Sequence, residues 1–413
     1  MPVLLHPSML AMVWPFGLAY ALSYALRTIN AVLAPEFERA LQLSAADLGL
    51  LASAYFFSFA LMQIPLGLQL DRKNPVQIER RLLLIALLGC VISALSTGFW
   101  ALWMGRALIG IGVSACLMSA YKAFRLEFEP RLQAPLASTM LVLGSVGALS
   151  ATLPVSLLLT LTSWQGIFWL LCGCFGLSWL ALGSLEAHFE TTQGSRHATA
   201  KPAEDPWKGL LEVVTHPAFL RLLPFGVLSY GGFLALHGLW LGPWLIDVEG
   251  VSQGTAAELL FWLTGVIMIG HLSWATLTQK LVGPRLSLDR LMRLGLWLFA
   301  LLSLMATFSL WPHPVIGWGL AFLAAGATTL SYSVVALSFS VDRSARATTA
   351  FNFLVFVGAF LVQWGMGIVV DLARSQGLTK EAGLQWAVGI WVASQVLALL
   401  WMQRTPAAPE ARS

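Results

Sequence analysis

Residues 82–121 read LLLIALLGCVISALSTGFWALWMGRALIGIGVSACLMSAY, and Arg106 is the one charge in the stretch. It divides near Trp100 into two apolar runs, 82–99 and 101–125. About 20 mostly apolar residues are needed to carry a helix across a bilayer. Two such runs back to back read as a pair of membrane-spanning helices. Strands of a membrane barrel would be shorter and would alternate in polarity.

The same reading extends in both directions. Toward the N-terminus, candidate spans cover 9–34 and 47–70. Beyond the pair they cover 134–160, 166–185, 217–245, 256–279, 288–310, 314–340, 347–371 and 383–403. Twelve spans result, an all-α integral membrane chain. Composition agrees, since only 11% of the 413 residues are charged and 58% are hydrophobic. A soluble domain carries about a quarter charged residues. Too little polar surface remains to cover a water-soluble globule. That excludes a cytosolic enzyme, a nucleic-acid binder and a disordered chain.

Glu186 to His216 is the longest polar stretch, and it separates the first six spans from the last six. The expected organisation is a six-helix bundle over 1–185, a linker over 186–216, a second bundle over 217–403 and a tail over 404–413. Lys and Arg set the orientation. With the N-terminus in the cytoplasm, eighteen of the 24 fall in inside loops and three (Arg39, Arg374, Lys380) in outside loops. Arg27, Arg106 and Lys122 lie within spans. Both termini are expected inside, in a cytoplasmic (inner) membrane. No Lys or Arg stands in the first 26 residues, so the first run is expected to be a retained helix rather than a signal peptide. The four cysteines sit in apolar runs and read as small buried hydrophobes. The 18 Trp and 12 Met read as interface belt and packing, with no metal box and no cofactor.

Local motifs then give a family. Gly67–Leu68–Gln69–Leu70–Asp71–Arg72–Lys73–Asn74 follows the second span. It resembles the G-x-L-x-D-R-x-G-R-R loop signature of the major facilitator superfamily. The resemblance implies that Gly67 permits close helix packing and that Asp71 and Arg72 hold a cytoplasmic gate. Asn74 replaces the second Gly, and Val76 and Gln77 stand where basic residues are usual, which leaves either a weaker gate or one built on Arg80 and Arg81. Arg106, Gly110 and Gly112 match the R-x-x-x-G-x-G of the fourth helix. Trp164–Gln165–Gly166–Ile167–Phe168 resembles the W-R-x-x-F of the sixth. The resemblance implies two pseudo-symmetric six-helix bundles and a secondary transporter working by alternating access. The fifth span lacks the G-P-x-x-G-G of drug/proton antiporters, which lowers that alternative. A transporter-like sensor and a membrane enzyme are weaker alternatives still, because no signalling domain, metal cluster or nucleophile motif is present.

Ionisable residues inside spans are costly and therefore candidates for function. Arg27, in Tyr24–Ala25–Leu26–Arg27–Thr28–Ile29–Asn30, resembles the first-helix Arg that contacts the substrate's anionic group in organophosphate and organic-anion members. Its planar fork suits a carboxylate or phosphate. Tyr24 and Asn30 flank it. Tyr121 and Lys122 offer a second polar pair, with snorkelling of Lys122 as the plain alternative. Arg106 reads as structural. His237 lies in the seventh span, the counterpart of the first, and is the candidate for proton coupling. His271, in the eighth span, is the weaker histidine. Asn352 and Gln363 share a helix face at eleven residues' spacing, which reads first as hydrogen-bonding glue between helices and second as substrate contact. None of the acids is expected mid-span. The expected partners are the bilayer and a small, anionic substrate, without nucleic acid, and the chain is expected to act as a monomer.

Overall fold

A computed structural model describes residues 7–194, 206–283 and 286–405. The chain is all-helical, and ten of its helices are long and apolar enough to cross a membrane. Two more complete the twelve spans. Pro7–Thr28 continues after a break as Asn30–Leu41. Pro75–Leu95 carries Glu79, Arg80 and Arg81 in its first two turns.

Local chemistry sets the helix starts. Asn74 accepts from the Val76 N–H at 2.9 Å, and Pro75 takes the first helical position, where a missing N–H costs nothing. Ser252, Ser287 and Thr379 cap in the same way. Gly250 and Gly377 adopt φ of 68° and 84° in the turns before two of these helices, a region that suits a residue without Cβ.

The chain divides by its contacts into two compact units. The first comprises Met1–Glu36 and Ala54–Pro202, the second Phe37–Ser53 and Ala203–Ser413. Each repeats one packing plan. In the first, the third span packs on the fourth and sixth, and the first on the fifth. In the second, the ninth packs on the tenth and twelfth, and the seventh on the eleventh. Large apolar side chains such as Trp100, Leu180, Leu272, Leu298 and Leu397 stay exposed, as expected of a lipid-facing surface.

Phe37–Ser53 joins the second unit for a physical reason. Asp371 accepts from the Ala45 and Ala46 N–H groups at 3.0 and 2.7 Å, a carboxylate on a helix N-terminus. Lys380 pairs with Glu38 and Asp247 at 2.8 and 3.0 Å. The segment after the first span thus groups with the second unit, which the polar-stretch reading does not foresee.

Two expectations are corrected. The third helix starts at Pro75 rather than near 82, because Asn74–Pro75 is a strong start signal. Glu79 thus lies inside a span and is wholly buried. Gly67 does not serve close packing, since a Cβ there would meet nothing within 4 Å. The side chains of Asp71 and Arg72 lie outside the described residues, and so does the tail beyond residue 405.

Candidate substrate site

The spans that line a transport path are often discontinuous. Here the interruptions fall at matching places in the two halves. The first span breaks at Ile29, and the seventh contains π-helical turns at Phe225–Tyr230, Leu236–Trp240 and Trp244–Val248. The fourth breaks between Gly112 and Cys116. The tenth passes through a 3₁₀ turn at Gly326–Thr329.

Arg27 lies two residues before the first break. Its guanidinium stands 4.5 Å from the Tyr24 ring centroid and 4.8 Å from that of Phe59. Its Nε donates to Tyr55 Oη at 3.2 Å. Tyr55 Oη donates to the Ser23 carbonyl at 3.1 Å and lies 3.0 Å from Ser23 Oγ. A phenol has one hydrogen to give. Spent on the carbonyl, it leaves Tyr55 as acceptor for both Arg27 and Ser23. Tyr55 is held from behind by the fourth span. A Cβ on Gly110 would stand 2.4 Å from the Tyr55 carbonyl, and one on Gly112 would stand 2.3 Å from the Ala86 nitrogen. Only glycine allows those approaches.

Two buried polar groups border this cluster. Arg106 is wholly buried and donates from Nη2 to the Leu26 carbonyl at 3.3 Å. Its Nε and Nη1 have no hydrogen-bond partner among the described residues, and neither amide atom of Asn30 has one. Asn30 is 1% exposed. Unpaired buried polar groups are costly and call for an explanation. A polar ligand is one.

Lys122 is placed differently. Its Nζ donates to the carbonyls of Leu70 and Lys73, the latter at 3.0 Å. A cation on the last carbonyls of a helix is a stabilising end contact. Tyr121, beside it, is half-buried.

In the second unit, His237 sits in the middle π turn. Its ring stacks on Phe233 at 6.2 Å and meets Phe322 edge-on at 6.0 Å. Nε2 lies 3.1 Å from Thr264 Oγ1, which itself donates to the Leu260 carbonyl at 2.7 Å. With the hydroxyl hydrogen committed, Nε2–H is the donor to Thr264, which assigns the tautomer. Asn352 Oδ1 accepts from Tyr332 Oη at 2.6 Å. Gln363 is wholly buried, and neither atom of its amide has a partner among the described residues. Its backbone carbonyl accepts from Trp240 Nε1 at 2.8 Å.

Arg27 and Tyr24 are thus brought together, with Asn30 one turn on. His237, Asn352 and Gln363 each have their own contacts in the second unit. Sequence reading missed Tyr55, Thr264 and Tyr332. Tyr55 had a signal, since the chain holds six tyrosines and this one lies mid-span.

Interrupted spans, a buried charge among hydroxyls and two bundles of one plan define a multi-pass membrane transporter rather than an enzyme. The chain belongs to the Major Facilitator Superfamily, whose sequence profile matches residues 16–363. An uncharacterized transporter of Bacillus subtilis, YybO, is 33% identical over 109 residues, 26% of this chain and 25% of that protein. The chain therefore spans a quarter of that relative's length in the match. A probable sugar efflux transporter of Helicobacter pylori is 22% identical over 402 residues, 95% of this chain and 94% of that one. A probable L-galactonate transporter of Escherichia coli is 22% identical over 410 residues, 94% of this chain and 88% of its own. Among solved structures, a bacterial homologue of the lysosomal transporter Spinster, inward-facing and unoccupied, superposes with a TM-score of 0.72. It is 20% identical, over 95% of both chains. The nucleoside transporter NupG superposes with a TM-score of 0.72 at 16% identity, over 96% of this chain and 99% of that one.

Proposed function

We propose that this chain moves a small organic anion, a carboxylate bearing hydroxyls, across the cytoplasmic membrane by alternating access. Arg27 is the contact to the anionic group. The single observation that carries the reading is the setting of Arg27. A permanently charged guanidinium stands beside a helix break, braced by aromatic rings and by the Tyr55 hydroxyl. A membrane protein keeps such a charge inside a span at considerable cost. A planar fork in that position is matched to a carboxylate.

Asn30 supplies both a donor and an acceptor for substrate hydroxyls, which accounts for its unpaired amide. The relative named for L-galactonate transport handles a hydroxylated carboxylate, which suits this chemistry. In this reading 1–185 and 217–403 are the two moving bundles, 186–216 links them, and both termini are cytoplasmic by the Lys and Arg distribution.

The test is ligand-induced thermal stabilisation of purified protein, since binding to the folded state raises the midpoint. The panel holds L-galactonate, a sulfonate, a sugar phosphate and an uncharged sugar. Anions stabilise the wild type and lose that effect in Arg27→Gln. Stabilisation by the uncharged sugar alone, equal in both proteins, refutes the reading and favours a neutral substrate.

A further inference from the structure

Among the described residues, Glu79 is the one acid buried throughout, 0% exposed. Neither of its carboxyl oxygens makes a hydrogen bond of good geometry among the described residues, and the polar groups within reach of them are the Cys116 thiol and the Ser119 hydroxyl. It lies in the third span beside Cys116 and Ser119, the first residues of the fourth span after its break. Cys116–Glu127 packs on the third span and on the first. Hence this segment lies against the helix that carries Glu79 and the helix that carries Arg27.

Charges that might neutralise Glu79 are engaged elsewhere. Arg80 pairs with Glu186 and lies 4.3 Å from the Trp179 ring. Arg81 is exposed. Arg106, on the other segment of the fourth span, donates to Leu26. The sixth span, also packed on the third, presents Glu186, already held by Arg80. A bare carboxylate in such a place costs several kcal/mol or more. A carboxylic acid costs far less, and Ser119 Oγ, itself without a partner, can take its hydrogen.

We propose that Glu79 is a proton-binding site of the transport cycle. The acid form lets Cys116–Glu127 pack against the third span. Loss of the proton to water creates a buried charge that the packing cannot hold, so the segment must shift to admit water. Because that segment also lies against the helix that carries Arg27, proton and substrate anion act on one moving element and bind cooperatively. This coupling rests on the anion-transport reading above; the titration of Glu79 itself does not. His237, in its aromatic cage, is the alternative carrier.

The direct test is an infrared pH-difference spectrum of purified protein between about pH 5 and pH 9, above the range where ordinary exposed carboxyls titrate and within reach of a buried one. The wild type shows a protonated-carboxyl carbonyl band that bleaches as pH rises. Glu79→Gln abolishes it, and Ser119→Ala, which leaves the acid in place, shifts it. No such band in the wild type, or a band indifferent to both substitutions, overturns the proposal. If Glu79→Gln fails to fold, the Ser119→Ala shift decides.

A second arm uses proteoliposomes and L-galactonate. Accumulation driven by an inward proton gradient rises up to about tenfold per unit of external acidification for a one-proton step. Glu79→Gln loses that dependence and keeps exchange at equal pH. Retained gradient-driven accumulation in Glu79→Gln, lost instead in His237→Gln, overturns the proposal. A wild type that ignores every anion sinks the transport reading and leaves the infrared result to decide on Glu79.

Discussion

Arg27→Lys keeps the charge and removes the fork. In the wild type the guanidinium lies 4.5 and 4.8 Å from two ring centroids, and its Nε donates to Tyr55 at 3.2 Å. A lysine ammonium can approach the same rings but has no second, parallel donor for a carboxylate. One charge-assisted hydrogen bond to the substrate is therefore lost, worth about 1.5–3 kcal/mol. At about 1.4 kcal/mol per tenfold, affinity for the anion falls by roughly 10- to 100-fold. Folding suffers less, because Tyr55 retains its bonds to Ser23. The assay is a thermal-shift titration with the anions of the panel, followed by uptake into proteoliposomes at matched protein density. Tyr55→Phe serves as a control, since it deletes the acceptor for Arg27 without touching the charge. Wild-type affinity and uptake in Arg27→Lys would refute bidentate contact at this residue.

Three further outcomes follow from separate parts of the structure. Asp371→Ala strips two helix-terminal N–H groups of their acceptor and lowers stability by about 1.5–3 kcal/mol, read as a fall in the thermal midpoint; an unchanged midpoint contradicts the contact. Gly110→Ala forces a methyl to within 2.4 Å of the Tyr55 carbonyl, costs about 1–3 kcal/mol by overpacking and weakens anion binding by moving Tyr55; normal binding would separate Gly110 from the site. A reporter active only outside the cytoplasm, fused after Ser413, stays silent if the Lys and Arg distribution sets the orientation, and strong activity reverses the topology.

Much of the architecture is legible along the chain because membrane insertion is a local decision. Each apolar run either is or is not long enough to span. The loop charges bias its direction. Arg27 was visible for the same reason, as an expensive charge in an apolar run. The misses share a different cause. Glu79 escaped because the hydropathy of its neighbours Arg80 and Arg81 pushed the apparent helix start past it, while the Asn74–Pro75 start signal lay further back. Lys122 stayed open between cavity and interface, because the carbonyls it meets, at Leu70 and Lys73, are about fifty positions away.

By itself the sequence determined the membrane class, the count of spans, the division into two halves and the presence of a charged group in the first helix. These follow from composition and spacing, which act over a single helix. Tertiary structure alone decided that Tyr55 braces Arg27, that Asp371 draws Ala45–Ala46 to the second unit, and that Glu79 is shut away beside Ser119. Each depends on which helix faces show to each other, and glycines such as Gly110 set that by permitting backbones to touch, a condition between helices that the pattern along any one of them does not carry.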